Sequence, residues 1–167
     1  TSITEGIKNT ILGALAGDAL THADKNVAIG YNSLTTDTLG STSVAVGMGT
    51  LENQNFTTAT NSFNTVVGHE AGNDITTGQF NTLMGGLAGD ALTDADQNLA
   101  LGYAALTSDT LGSLSVAVGP SALFAQNFTT ATNTYNVAVG AVAGGAVTTG
   151  KENTLIGGLA GDALTTG

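Results

Sequence analysis

The clearest pattern along the chain is a short unit in which apolar positions follow a polar residue and end at a glycine. The unit has the form Asn or Ser, any two residues, an aliphatic residue and Gly, and it occurs nine times. Successive glycines are 17, 17, 21 and 17 residues apart, and this order then repeats, so four units make a super-repeat of 72 residues. A regular short period of this kind predicts a solenoid. The nine glycines are Gly13, Gly30, Gly47, Gly68, Gly85, Gly102, Gly119, Gly140 and Gly157.

The super-repeats define the organisation of the whole chain. Residues 9–80 and 81–152 are identical at 45 of 72 positions, and residues 153–167 begin a third copy. We therefore interpret 1–167 as one repetitive β-solenoid. The chain begins and ends in the same phase of the coil without the polar caps of a free-standing solenoid, so we expect it to be a segment of a longer fibre.

The residues before each glycine predict a β-strand. The position one before the glycine always holds a sizeable apolar residue, and the position three before it is mainly β-branched, which suits extended chain. These two positions share one face under period-two alternation, and the intervening position, also wholly apolar, points to the other face. The intervening residues are Ile11, Ala28, Ala45, Val66, Leu83, Ala100, Ala117, Ala138 and Leu155.

Both faces of this strand avoid polar residues, yet a 17-residue coil has only one interior. We expect the larger column next to the glycine to be buried, and the alanine-rich column to pack against another chain. The alternative is that a single chain covers both faces with its own turns.

Other columns indicate how the coil is closed. The Asn or Ser four before the glycine could stack as a hydrogen-bonded ladder, and the glycines supply corners. The position four after the glycine is Gly or Leu in a fixed order, so two kinds of coil alternate. A short helix in LGALAGDALTHA would place Gly13 and Gly17 in its interior, which is unfavourable. The pattern predicts an all-β fold, a parallel β-roll (β-solenoid) of about nine coils of 17–21 residues.

Charge narrows the classes of partner. The chain has three Lys, no Arg and 13 carboxylates, for a formal net charge of −10. A nucleic-acid partner needs clustered basic residues, so it is excluded, and an anionic membrane surface is disfavoured. No apolar run is long enough to insert into a membrane, and the absence of Cys excludes disulfides and thiolate metal sites.

The sequence predicts no enzyme and no cofactor. His22 and His69 occupy different coil positions, and no catalytic or phosphate-binding motif is present. Asp18, Asp90 and Asp162 recur only every fourth coil, so no calcium-binding ladder is expected and we predict no metal site.

The 21-residue coils contain QNFTTATN at 54–61 and at 126–133, and their four extra residues must bulge outward. The aromatic residues of these segments could bind a ligand or could fold back into the core, and both interpretations stay open. Each segment also contains an Asn-x-Thr acceptor for glycosylation. The candidate recognition or glycosylation residues are Asn55, Phe56, Thr57, Asn127, Phe128 and Thr129.

The units NVAIGYNSL (26–34) and LSVAVGPSA (114–122) resemble the head repeats of YadA-like trimeric adhesins. The 17-residue version with NT, G, A, L and TTG (81–102) is similar to long repeats of bacteriophage tail-fibre-like proteins. The resemblance implies a left-handed parallel β-roll in a homo-trimer outside the cell, at a cell surface or on a virion. It also implies a role in presenting a surface to a host-cell glycan or protein receptor.

We therefore expect a structural fibre segment of a trimeric adhesin or phage tail fibre. The alternative is a repetitive subunit of an extracellular filament that assembles end to end. Ice binding would require a regular threonine array, which the column Thr10, Val27, Val44, Thr65 interrupts.

Overall fold

The computed structural model describes residues 5–167, and these form a continuous stack of nine coils without a helix. Each coil contributes one three-residue strand to a single parallel sheet of nine strands. The fold predicted from the repeats, a parallel β-solenoid with about nine coils, is therefore confirmed. Its LGALAG segments are turns, so the helical alternative is wrong.

Residues 5–167 form thirteen strands. Those of the nine-stranded sheet are β1 (Thr10–Leu12), β2 (Val27–Ile29), β4 (Val44–Val46), β6 (Thr65–Val67), β7 (Thr82–Met84), β8 (Leu99–Leu101), β10 (Val116–Val118), β12 (Val137–Val139) and β13 (Thr154–Ile156). Those of two small side sheets are β3 (Gly40–Ser41) with β5 (Thr60–Asn61), and β9 (Gly112–Ser113) with β11 (Thr132–Asn133).

The strands pair in the register that the repeat predicts. Ile11 is opposite Ala28, which is opposite Ala45, and the same column continues to Leu155. The 21-residue coils keep this register, since Ala45 pairs with Val66. Their extra residues are accommodated outside the main sheet, next to the side sheets. Every coil therefore presents equivalent residues at the same place on the sheet.

The assignment of the two strand faces is the main correction. The intervening column points into the coil, and Ala28, Ala45, Ala100, Ala117 and Ala138 are fully buried there. The larger residues next to the glycines point outward and are exposed or half-buried. The prediction that they are buried while the alanine column faces another chain is wrong. The interior of a 17-residue coil is narrow, and alanine fits it.

The alternation of two coil types follows from how this interior is filled. In coils with a large inward residue, such as Ile11 or Leu83, the position four after the glycine is Gly. A Cβ at Gly17 would lie 2.9 Å from Cδ1 of Ile11 and 2.8 Å from Cδ1 of Leu20. In coils with an inward alanine, such as Ala28, a buried leucine occupies that position and fills the space, except in the coil of Ala138, where the position is Gly144 and a Cβ would lie 2.9 Å from Cδ1 of Leu155.

An asparagine ladder closes the coils. The backbone N–H of Asn98 donates to Oδ1 of Asn81 at 2.9 Å, which links adjacent coils. The Nδ2 of Asn81 donates across its own coil to the carbonyl of Ala95 at 2.8 Å. Equivalent pairs of bonds recur along the stack, so the predicted ladder is present. In each pair, the side-chain oxygen accepts from a backbone amide of the next coil, and the side-chain nitrogen donates across its own coil.

The corners have a left-handed backbone in every coil. The repeating glycines have φ between 125° and 145°, and a Cβ at Gly68 would lie 2.4 Å from the carbonyl oxygen of Gly85. Three further columns, five before and two and four after the glycine, also have positive φ, and they include the bulky residues Leu34 and Phe63. Such conformations are costly for residues with a Cβ, and the stacked coils impose them.

Candidate functional site

The outer face of the nine-stranded sheet is a continuous surface built from equivalent residues of nine coils. Its two columns, three and one before the glycines, contain Thr, Val, Leu, Ile and Met and no charged residue. Leu12 is 67% exposed and Met84 is 50% exposed, and the valines between them are half-buried by their neighbours. We call this surface the outer face.

The outer face is large enough to bind a macromolecule. Nine strands about 4.8 Å apart extend for about 40 Å, and the outer face together with the glycines and the first position of the trailing rim covers about 17 Å across the strands. Their product is about 650 Å², which approaches the ~800 Å² that each partner buries in a standard protein interface. An apolar patch of this size on a soluble protein indicates a contact surface.

Two different rims border the outer face. The leading rim is formed by the residues five before each glycine: Lys8, Lys25, Thr42, Phe63, Phe80, Gln97, Leu114, Tyr135 and Glu152. The trailing rim is formed by the residues one and two after each glycine, among them the exposed side chains of Tyr31, Met48 and Tyr103. The two rims of the outer face therefore differ in their residues and can be told apart.

The leading rim carries aromatic side chains on a strained backbone. Phe63 (φ 51°) and Phe80 (φ 60°) are both about half exposed, and their rings stack with centroids 5.6 Å apart. Tyr135 is equivalent to Phe63 in the second super-repeat and is also exposed. Phe63 and Phe80 stabilise the coil stack by packing on each other across adjacent coils, and about half of each residue remains exposed and available for a contact.

The 21-residue coils and the coils that precede them share a buried polar cluster that the sequence analysis missed. Oδ1 of Asp37 accepts hydrogen bonds from the backbone N–H groups of Gly40 (2.9 Å) and Phe56 (3.1 Å). Oδ2 of Asp37 accepts from Nε2 of Gln54 at 2.6 Å, and Oε1 of Gln54 accepts from Nδ2 of Asn64 at 2.9 Å. In the other coil type, aliphatic residues occupy the interior position that Asp37 and Gln54 hold here. A comparison of this position between coils would therefore have revealed the polar exception.

The second super-repeat repeats this cluster. Oδ1 of Asp109 accepts from the N–H groups of Gly112 (3.0 Å) and Phe128 (2.9 Å), and Oδ2 accepts from Gln126. Gln126 and Phe128, at the start of the inserted segment, therefore both bind Asp109 of the preceding coil. The cluster anchors each insertion to the core.

The structure separates the six candidate residues of the insertions. Phe56 and Phe128 are buried, with 4% and 7% exposure, so they fold back into the core and present no ring to a ligand. Asn127, Thr57 and Thr129 are exposed, and Asn55 is half-buried. The Oδ1 atoms of Asn55 and Asn127 accept from Thr38 and Thr110, each at 3.2 Å. Glycosylation at the two Asn-x-Thr acceptors stays a prediction.

Two carboxyl groups on the polar sides of the coil are perturbed. Partial burial raises the pKa of Asp90, against the hydrogen bond that Thr107 donates to it. Partial burial also raises the pKa of Asp96, and the charge of Asp94 adds to this effect. Neither residue lies on the outer face.

The remaining polar features give no second site. His22 lies 3.3 Å from a Glu5 oxygen and His69 lies 3.7 Å from a Glu70 oxygen, and all four side chains are largely exposed. In residues 5–167, no three His, Asp or Glu side chains are arranged to hold a metal ion. No pocket is found in this part of the chain. The described residues also include no helix that could cross a membrane.

Comparison of the chain with protein-family models, with curated proteins and with solved structures gives no match. The features that bear on function are therefore the outer face, its rims and the coil geometry.

Proposed function

We propose that this chain is a structural segment of a trimeric extracellular fibre, as in a trimeric adhesin or a phage tail fibre, that presents a binding surface. The observation that carries the proposal is the uncharged outer face, whose residues are held in register by nine parallel strands. Three copies facing a common axis would remove these residues from water. The number three comes from the resemblance of the units at 26–34 and 114–122 to trimeric adhesin heads.

Burial of the outer face is favourable on elementary grounds. Removing about 650 Å² per chain from water at about 25 cal/mol per Å² of apolar area gives a gross gain of about 16 kcal/mol per chain. The cost of association reduces this figure substantially. The 13 carboxylates of the chain are absent from the outer face, so charge repulsion does not oppose contact there.

The test is the mass of the assembly in solution, with a matched pair of variants. Val118 is a half-buried residue of the outer face, and Thr129 is exposed on an insertion. Val118→Asp should dissociate the trimer to monomers without loss of strand content in circular dichroism. Thr129→Asp carries the same added charge and should leave the trimer intact.

A wild-type chain that is monomeric at micromolar concentration would refute the proposal. A stable dimer would refute the trimer but keep the outer face as the interface. End-to-end filaments that survive Val118→Asp would favour the alternative of a surface filament.

A further inference from the structure

The two super-repeats differ most clearly at one corner of the coil, next to the trailing rim. Seven positions there are polar in the first super-repeat and apolar or Gly in the second, although most other positions are identical. The first set is Asn32, Glu52, Asn53, His69, Glu70, Asn73 and Asp74, and the second is Ala104, Phe124, Ala125, Ala141, Val142, Gly145 and Ala146. We call the first set the acidic corner and the second the apolar corner.

The acidic corner is a connected surface network. Nδ2 of Asn32 donates to Oε1 of Glu52 at 3.1 Å, and Nδ2 of Asn73 donates to Oε2 of Glu52 at 3.3 Å. Asn53 donates to Asp74 at 3.2 Å. No basic residue other than His69 belongs to the corner, so its three carboxylates are not neutralised within it.

The apolar corner exposes hydrophobic side chains at the equivalent place four coils away. Phe124 is 45% exposed and Val142 is 37% exposed, and they lie one and two coils beyond Tyr103 of the trailing rim. Nothing in the described part of the chain covers them. Two neighbouring stretches of the trailing side therefore have opposite chemistry.

The leading rim is divided at the same height along the stack. Its first two coils carry the exposed Lys8 and Lys25, two of the three lysines of the chain. In the coils of the second super-repeat it carries Leu114 and Tyr135 instead. When the leading rim of one copy is set at equal height beside the trailing side of another copy pointing the same way, Leu114 faces Phe124 and Tyr135 faces Val142, and Lys25 in coil 2 lies one coil from Glu52 in coil 3.

We infer that the leading rim docks on the trailing side of a second copy of this chain, with coils at equal height, through an apolar zone in coils 6–8 and a charged zone in which Lys25 of coil 2 meets Glu52 of coil 3. This inference rests on the proposed assembly through the outer face and specifies its contacts. Copies pointing in opposite directions would set Lys25 against Phe124 and Val142, which desolvates a charge without a partner. The zones therefore select direction and register.

The inference is tested by engineered disulfides, because the chain has no Cys. Tyr135 on the leading rim and Ala141 on the trailing rim belong to the same coil and are about 20 Å apart as extended chain, too far for a disulfide within one copy. The double variant Tyr135→Cys/Ala141→Cys should form closed covalent trimers on oxidation. The control Tyr135→Cys/Tyr31→Cys, which joins rims six coils apart, should remain unlinked.

The charged zone is tested separately. Lys25→Glu should weaken the assembly about tenfold at low salt, and Lys25→Glu with Glu52→Lys should restore it. An oligomer of wild-type mass that does not crosslink at Tyr135 and Ala141, or that crosslinks in the control pair, would overturn the inference and leave the proposed function standing. A monomeric wild-type chain would overturn both.

Discussion

Adding one methyl group at a corner glycine should strongly destabilise the coil stack. Gly85 has φ of 135°, and a Cβ there would lie 2.5 Å from the carbonyl oxygen of Gly102 in the next coil. Backbone strain of this kind costs about 1–3 kcal/mol. Opening the coils would also weaken the 2.8 Å hydrogen bond from Gly102 N–H to the Met84 carbonyl, for about 1 kcal/mol more. Gly85→Ala should therefore lower the free energy of unfolding by about 2–4 kcal/mol.

Two matched variants separate the cost of backbone strain from the cost of steric overlap with the next coil. Gly86→Ala places its Cβ no closer than 3.6 Å to another heavy atom, and alanine already occupies this column at Ala14 and Ala141. Gly157→Ala has the strained φ of 125° but meets nothing closer than 4.0 Å, so it should show the strain cost alone.

The assay is thermal and urea unfolding followed by circular dichroism at one protein concentration, since assembly would shift apparent stability. For a chain of this size, about 2–4 °C is expected per kcal/mol, so Gly85→Ala should melt about 4–16 °C below wild type. A Gly85→Ala protein as stable as Gly86→Ala, to within about 0.5 kcal/mol, would refute the proposed packing of the corners.

Three further substitutions test the interior and the polar sides. Asp37→Asn should cost about 1–3 kcal/mol in urea unfolding, because an amide cannot accept from two backbone N–H groups and Gln54 at once; unchanged stability would count against the buried cluster. Asn81→Ala should cost about 2–4 kcal/mol and speed amide exchange at Asn98, which loses its acceptor; unaltered exchange would contradict the ladder. Burial raises the folded-state pKa of Asp96 above the ordinary value of 3.8, so the ionised form is disfavoured and wild-type stability falls as pH rises from about 3.8 through the raised pKa. Asp96→Asn should therefore flatten the pH profile of stability, and an unchanged profile would refute this assignment.

The repeat period predicted the coil stack and the strand register because both depend on spacing alone. It could not decide which strand face is interior, since both columns are apolar. The deciding factor is volume: Leu34, from four after the glycine, reaches the interior beside Ala28 and leaves no room for the outward Ile29.

The turn conformations and the buried carboxylates were harder to predict from the sequence. Lys25 and Phe63 adopt positive φ because neighbouring coils force equivalent backbones to stack, and nothing in either residue type signals this. Asp37 and Gln54 were readable in principle, because their column holds Leu20 and Ile75 in the other coil type. The sequence predicted that one strand face packs against another chain, but it assigned this face to the alanine-rich column, which lies inside the coil.

The central claim is that the outer face is buried between copies of the chain, and sedimentation equilibrium on the wild-type chain tests it most directly. If three copies bury this face, the protein should sediment as a single species of three times 16.4 kDa that persists at micromolar concentration. A homogeneous species of 16.4 kDa, with the outer face in water, would contradict it.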